Sequence, residues 1–273
     1  LEELASYPVE GIEMDWAFTP YYFKPREIKA NTAVMTDYMR QISNMIRSKA
    51  EGRIVGARVF PHIDMNLALG LDVATWLSER LVDYVAPLYY GYFALDADLP
   101  FESLVSTAHP AGAEVYPILQ PYWLEHEKHA TPAMLRAAAA NYWAKGADGL
   151  IVAPWFYWPF RDAEKAFLTE IGDPHDIRDK DKHYVVGQRI EDAARLGYDH
   201  PLPLSLPRAG TEGRGEIPFY VADDLSSKRV GRVRLCIRVD NLVTADQLAV
   251  TLNGKPLTVE RLRRTSHRYE FQW

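Results

Sequence analysis

Two carboxylates lie close together near the start of the chain, in the run VEGIEMDW at 9–16. Strand-forming residues surround them, and strand side chains alternate between faces, so Glu13 and Asp15 share one face, about 6.6 Å apart. Two carboxylates at this spacing repel each other. If both are buried, at least one must have a raised pKa or an oppositely charged partner. The pair therefore indicates acid–base or nucleophilic chemistry, with a salt-bridged structural Glu13 as the alternative.

The opposite face of the same predicted strand is apolar. Ile12, Met14 and Trp16 occupy it, while Gly11 permits close packing on the carboxylate face. A strand that is covered on both faces is typical of a parallel sheet rather than of an exposed edge. The run therefore predicts a strand inside a parallel sheet.

Predicted strands and helices alternate through the first 172 residues. The strands are expected at 9–16, 53–60, 83–90, 113–121 and 148–156. The helices are expected at 31–50, on the four-residue spacing of Val34, Tyr38, Ile42 and Ile46, and at 71–81, 100–109, 131–146 and 161–172. This alternation implies a parallel sheet. Because no glycine-rich phosphate-binding fingerprint follows any of these strands, a nucleotide-binding fold is not expected.

Five β/α units are too few to close the usual eight-stranded barrel. The last predicted helix is followed by a change of composition. We therefore expect residues 1–172 to form about strands 4 to 8 of a TIM-type β/α barrel whose first units are absent from this chain. A complete open sheet is the alternative.

The remaining residues predict an all-β domain. A charged stretch at 173–182 is interpreted as a linker, and short alternating runs separated by turn residues follow through 183–273. The pair Asn253 and Gly254 is a strong hairpin signal. We expect a β-sandwich here, with the single cysteine, Cys236, as a small core residue.

Polar and aromatic residues collect where the predicted strands end, and β/α barrels carry their active sites at the carboxyl ends of the strands. Aromatic rings with carboxylates and amides match the apolar faces and polar rims of sugars. Besides Asp15 and Glu13, Asp64 is a candidate catalytic carboxylate. The candidate substrate-binding residues are Trp16, Tyr21, Tyr22, Arg58, His62, Tyr89, Tyr90, Gln120, Tyr122, Trp155 and Trp158.

The run EGIEMDWA resembles the fourth-strand signature of family-eighteen chitinases, D-G-x-D-x-D-x-E. Glu10, Gly11, Glu13 and Asp15 occupy matching places, but Ala17 stands where that family carries its acid, so the chitinase mechanism is not expected. The strand also resembles that of amylase-type barrels. That resemblance implies that Asp15 is a nucleophile, although Glu13 replaces the arginine of the motif.

Most of the chain resembles a group of bacterial glycoside-hydrolase-like barrels with a carboxyl-terminal β domain. Their fourth strand is similar to DGIELDF followed by PYFF, and their last β/α unit is similar to GADGLIVAPWF at 146–156. That unit leads into GDP…KDKHYVV and the β domain. The resemblance implies a bacterial hydrolase that acts on carbohydrate.

A glycosidase normally uses two carboxyl groups, about 5–5.5 Å apart for retention and about 6.5–9.5 Å apart for inversion. We expect Asp15 to be one, as nucleophile or base. Glu13 either supplies the other or tunes Asp15, and Asp64, Glu125, Glu127 or the absent units are further sources. The expected function is a glycoside hydrolase. A catalytically inactive carbohydrate-binding barrel, and a polysaccharide lyase or deacetylase, are the alternatives.

Charge and composition favour a poly- or oligosaccharide as the partner. The net charge of −6 argues against nucleic acid, and no apolar run approaches the length of a membrane span. No two of His62, His126 and His129 stand at ligand spacing on one helix face, so neither a metal nor another cofactor is expected. We expect a secreted or periplasmic protein.

Overall fold

The computed structural model describes residues 1–18, 21–89, 94–123, 129–153, 162–189, 191–206, 213–227, 229–241 and 247–258. The strands are β1 (Gly11–Asp15), β2 (Ile54–Val59), β3 (Tyr84–Pro87), β4 (Glu114–Val115), β5 (Ile118–Leu119), β6 (Ile151–Val152), β7 (Val250–Leu252) and β8 (Lys255–Leu257). The helices are α1 (Ile28–Lys49), α2 (Ile63–Ala68), α3 (Val73–Ser78), α4 (Glu102–Ala111), α5 (Pro132–Ala144), α6 (Asp162–Glu170), α7 (Pro174–Ile177) and α8 (Glu191–Ala194).

The first four strands form a parallel sheet in chain order, β1-β2-β3-β4, and β5 pairs in parallel with β6. Strands β4 and β5 belong to one stretch of chain, which is interrupted at Tyr116 and Pro117. The amide of Tyr116 donates to the carbonyl of Val85 at 2.9 Å, and the amide of Ile151 donates to the carbonyl of Pro117 at 3.2 Å. The predicted strand at 113–121 therefore contacts both neighbours. The prediction of a mixed α/β fold with a parallel sheet is confirmed.

Alternate residues of the sheet separate an apolar face from a polar one. Val55, Ala57 and Val59 of β2 are fully buried, and they share one core with Met39 of α1 and Leu104 of α4. Helix α1 packs against β2, and helix α4 packs against β3 and β4. The other face, called the polar face below, carries the side chains of Glu13, Asp15, Arg58 and Tyr84.

The buried stripe of α1 differs from the predicted one. Val34 and Tyr38 are exposed, whereas Met35 and Met39 are buried together with Ile42. A strict four-residue step advances about 40° beyond a full turn of an α-helix. Residues spaced by four from Ile46 back to Val34 therefore turn gradually from the core towards solvent. Spacings that alternate between three and four residues keep the side chains on the buried face of the helix.

Helices α5 and α6 are tied by a carboxylate that two cations share. Glu170 Oε2 accepts a 2.7 Å hydrogen bond from Arg136 Nε, and Glu170 Oε1 accepts a 2.8 Å bond from Lys180 Nζ. Burial alone would raise the pKa of Glu170, but the hydrogen bonds from Lys180 and Arg136 outweigh it and lower the pKa below its usual value. This carboxylate therefore stabilises the fold in its charged form.

The chain divides into two compact units, Leu1–Leu206 with Arg214–Val233, and Pro207–Gly213 with Arg234–Trp273. Residues 183–206 lie in the first unit, so the division falls later in the chain than the predicted linker at 173–182. The second unit holds the antiparallel hairpin β7–β8. Its turn residues, Asn253 and Gly254, have φ of 51° and 77°, as a two-residue hairpin turn of type I′ requires.

The predicted β-sandwich at 183–273 stays a prediction beyond this hairpin. The expectation that Cys236 is a core residue is wrong, because Cys236 is exposed. Its neighbours Leu235 and Ile237 are exposed as well, so the apolar run is not covered by other described residues. Within the described ranges, no helix combines the length and apolar character needed to cross a membrane.

Candidate functional site

The polar face of the parallel sheet holds the two predicted carboxylates. Arg58 Nε donates a 2.5 Å hydrogen bond to Glu13 Oε1, and the Arg58 and Glu13 side chains are 24% and 20% exposed. Arg58 Nη1 lies 3.8 Å from Asp15 Oδ2. One guanidinium therefore faces both carboxylates. The repulsion expected from the sequence is offset by an opposite charge, which comes from the neighbouring strand.

The register of the sheet explains these contacts. Asp15 is opposite Arg58, while Gly56 lies between Glu13 on one side and Tyr84 on the other. Because Gly56 has no side chain, the ring of Tyr84 crosses β2, and Tyr84 Oη donates a 3.0 Å hydrogen bond to Glu13 Oε2. A Cβ at Gly56 would overlap the phenol ring of Tyr84. Glycine at this position is therefore required for the second hydrogen bond to Glu13.

The same arrangement recurs further along the sheet. A Cβ at Gly149 would lie 2.7 Å from the ring of Tyr116, so a glycine again makes room for a tyrosine. The rings of Tyr84 and Tyr116 meet edge to face with centroids 5.3 Å apart, and Tyr116 Oη donates to a carboxylate oxygen of Glu114. The polar face thus continues as two contacting phenols.

Both phenols remain protonated at neutral pH. Burial, followed by the negative charge of Glu13 and its hydrogen bond, raises the pKa of Tyr84 well above its usual value. Burial, followed by the hydrogen bond to Glu114, raises the pKa of Tyr116 to about 12. These side chains can donate hydrogen bonds or contact a ligand through their rings, but they cannot act as bases near neutral pH.

Asp15 occupies the last position of β1 and is exposed. Its Oδ1 accepts hydrogen bonds from the backbone amides of Ala17 and Phe18, each at 3.1 Å. The turn that leaves the strand therefore fixes the orientation of the carboxylate, while Oδ2 faces Arg58 at 3.8 Å. An oriented carboxylate at the carboxyl end of a parallel strand can act as a nucleophile, a base or a hydrogen-bond acceptor.

The aromatic residues that follow Asp15 pack partly into the core. Trp16 is buried, and its ring lies 5.8 Å from that of Trp76 and 5.6 Å from that of Tyr22. Tyr22 Oη donates a 2.9 Å hydrogen bond to the carbonyl of Trp16. Tyr21 is exposed, with φ of 76°. In this structure Trp16 is a packing residue, whereas Tyr21 is open to a ligand.

His62 and Asp64 lie together at the start of α2, a helix that the sequence analysis did not predict. The amide of Asp64 donates a 3.2 Å hydrogen bond to His62 Nδ1, and the Asp64 carboxylate is exposed. Because α2 starts shortly after β2, Asp64 stands beyond the same end of the sheet as Asp15.

Several predicted site residues lie elsewhere. The ring of Tyr122 lies 4.9 Å from that of His129, in a stretch that follows β5. Tyr89 and Gln120 belong to a second cluster, which surrounds Asp96. The predicted site residues outside the described ranges are Tyr90, Glu125, Glu127, Trp155 and Trp158.

A buried carboxylate that the sequence analysis missed organises this second cluster. Tyr198 Oη donates a 2.5 Å hydrogen bond to Asp96 Oδ2, and His200 Nε2 lies 3.4 Å from the same oxygen. The amide of Asp98 donates to Asp96 Oδ1 at 2.8 Å, and Tyr142 Oη donates to the Asp96 carbonyl at 2.6 Å. Hydrogen bonds to charged groups contribute about 1.5–3 kcal/mol each. The cluster therefore holds together residues that are far apart in the chain.

Burial, followed by the charge of Asp96, raises the pKa of both Tyr142 and Tyr198 well above its usual value. Tyr89, which follows β3, contacts Tyr198 with ring centroids 5.2 Å apart. Gln120, which follows β5, is 3% exposed and lines the same cavity as Asp96. Only Tyr89 and Gln120 of this cluster carried a signal in the sequence, because they end predicted strands.

Among the described residues, no group of three or more His, Cys, Asp or Glu side chains has the arrangement of a metal site. A scan of protein-family models finds no family that matches the chain. A search of curated proteins finds no significantly similar sequence.

Proposed function

We propose that the chain is a carbohydrate-active β/α barrel protein, and that it acts as a glycoside hydrolase with Asp15 as a catalytic carboxylate. The observation that carries the proposal is the placement of Asp15. It is exposed at the carboxyl end of a parallel strand and held by two backbone amides beside Arg58. Active sites of β/α barrels lie at this end of the strands.

The order of the strands supports the barrel part of the proposal. A doubly wound sheet reverses its strand order at the ligand site, whereas a barrel adds its strands in chain order. The order β1-β2-β3-β4, with β6 beside β5, has no such reversal. On this proposal, residues 1–172 are about strands 4 to 8 of a TIM-type barrel, and a β-sandwich follows.

The contacts of Glu13 give it a supporting role. Arg58 donates to one of its oxygens and Tyr84 donates to the other. Glu13 thereby orients Arg58, and Arg58 in turn faces Asp15. We assign Glu13 as a positioning residue, and we retain Asp64 as the candidate for the second carboxyl group because it is exposed beyond the same sheet edge.

A catalytically inactive carbohydrate-binding barrel is the second candidate. It is favoured by the engagement of both Glu13 oxygens, because a carboxylate bonded in this way is a poor proton donor to a leaving group. Tyr21, Tyr84 and Tyr116 would then supply rings and hydroxyl groups to a bound sugar without chemistry.

The experiment is a screen of the full chain against a panel of poly- and oligosaccharides, with binding and product formation measured in parallel. The hydrolase proposal expects release of new reducing ends from at least one substrate that binds. Binding without release would support the inactive barrel. Products with an unsaturated, ultraviolet-absorbing end would identify a lyase. Absence of binding to every member of the panel would contradict the carbohydrate proposal.

A further inference from the structure

A small cavity of about 30 Å³ lies where strands β3 and β5 end. Its lining includes Tyr89, Gln120, Asp96, Tyr198 and His200. His200 reaches the cavity because Gly187 has no side chain; a Cβ there would lie 2.6 Å from the imidazole ring. This volume is enough for a water molecule or a group of similar size, but it is too small for a sugar ring.

The polar groups of the cavity differ in whether they already have hydrogen-bond partners. The carboxylate of Asp96 already accepts hydrogen bonds from Tyr198 and from the amide of Asp98. Gln120 is 3% exposed, and among the described residues neither its Nε2 nor its Oε1 has a hydrogen-bond partner. A buried amide without hydrogen-bond partners destabilises the fold. The side chain of Gln120 is therefore the group of the cavity that a bound ligand would stabilise by hydrogen bonding.

The side-chain amide of Gln120 determines which chemical group can bind in the cavity. Gln120 offers an NH₂ group as donor and a carbonyl oxygen as acceptor, and a hydroxyl group can accept from the first and donate to the second. An anion would share the cavity with the carboxylate of Asp96, and a cation would leave the Gln120 Nε2 without an acceptor. A neutral hydroxyl or hydroxymethyl group satisfies the amide and matches the volume.

We propose that this cavity is a hydroxyl-recognition subsite, in which Gln120 binds one hydroxyl or hydroxymethyl group of a saccharide. The proposal rests on the proposed carbohydrate function and assigns one contact of the substrate. Gln120 and Tyr89 follow strands of the same parallel arrangement as β1, so the subsite and Asp15 lie at the same end of the strands. Asp96 and Tyr198, which line the same cavity, are positioning residues.

The test follows the side-chain amide signal of Gln120 in nitrogen-15-labelled protein by nuclear magnetic resonance. Glycerol and D-glucose are titrated separately, because they present hydroxymethyl groups without requiring the true substrate. We expect a saturable shift of the Gln120 side-chain amide signal in the wild-type chain. In the Gln120→Leu variant the affinity is fitted from the backbone amide signals of Leu95 and Leu99, which line the same cavity, and we expect it to be weaker by about tenfold. Gln41→Leu, a change of an exposed glutamine on α1, is the matched control and should leave the affinity unchanged.

Two results would overturn the subsite. The first is a Gln120 signal that neither polyol moves. The second is a long-lived water molecule beside Gln120 that persists at saturating polyol, which would make the cavity a structural water site only. Hydrolysis is not needed for either titration. A chain that cleaves glycans with an unmoved Gln120 signal would therefore refute the subsite alone, and a shifted signal in a chain without hydrolytic activity would refute only the hydrolase proposal.

Discussion

Replacing Arg58 by methionine tests the ion pair on which the polar face depends. Methionine keeps part of the apolar stem but removes the guanidinium from between Glu13 and Asp15. Hydrogen bonds to charged groups contribute about 1.5–3 kcal/mol, and looser, more exposed ion pairs contribute about 0–1 kcal/mol. The contact of Arg58 with Glu13, at 2.5 Å, is of the first kind, and its contact with Asp15, at 3.8 Å, is of the second. For the loss of these two contacts we expect Arg58→Met to lower the free energy of unfolding by about 1.5–4 kcal/mol.

A surface pair of the same chemistry provides the control. Arg40 donates two hydrogen bonds to Glu79, at 2.6 and 2.7 Å, and the two side chains are 38% and 40% exposed. Because water screens this pair, Arg40→Met should lower the free energy of unfolding much less than Arg58→Met does. The assay is urea unfolding followed by tryptophan fluorescence, since Trp16 and Trp76 contact each other in the core.

A double-mutant cycle separates the ion pair from general damage. Glu13→Gln removes the charge of Glu13 and keeps its shape, so it should cost less in the Arg58→Met background than in the wild type. We expect a coupling energy of about 1–2 kcal/mol. Equal costs for Arg58→Met and Arg40→Met, with no coupling between Glu13 and Arg58, would refute the reasoning.

Three further changes probe other parts of the structure. Gly56→Ala should displace the ring of Tyr84 and cost about 1–3 kcal/mol in urea unfolding, whereas a neutral result would mean that this ring does not lie across β2. Tyr198→Phe removes a hydrogen bond to the buried Asp96 and should lower the free energy of unfolding by about 2–3 kcal/mol. The lowered pKa of Glu170 stabilises the fold above the usual value of 4.5, and this stabilisation is lost as the pH falls through the folded-state pKa. Glu170→Gln should therefore flatten the fall in urea midpoint as the pH drops below 4.5, and an unchanged slope would contradict the assignment.

The sequence predicted the parallel strands well because each is a short apolar run bounded by turn residues. It also placed Glu13 and Asp15 on one face, since that follows from strand alternation alone. It did not predict that Arg58 would face both, although the residue was among the candidates. That contact depends on the register between β1 and β2, which a single run of residues does not encode.

Other features escaped prediction for physical reasons that differ. Helix α2 is short and begins after His62, which caps it with a ring nitrogen, so the usual capping residues give no signal. Asp96 and Tyr198 are 102 residues apart, and only the folded chain brings them together. Cys236 lies in an apolar run that would suit a buried strand, but Leu235, Cys236 and Ile237 are exposed. The apolar character of a run does not by itself determine whether other residues cover it.

Replacing Asp15 by asparagine tests the central proposal most directly. The amide oxygen of asparagine can still accept the hydrogen bonds of Ala17 and Phe18, so the turn should survive while the carboxylate is lost. On a glycan that the wild-type chain cleaves, we expect Asp15→Asn to lower kcat by about a thousandfold or more, with the glycan Kd changed by less than about threefold. Asp37→Asn, a change on the exposed side of α1, should leave both constants unchanged. An Asp15→Asn protein that turns over the glycan at near wild-type rates would contradict the assignment of Asp15 as a catalytic carboxylate.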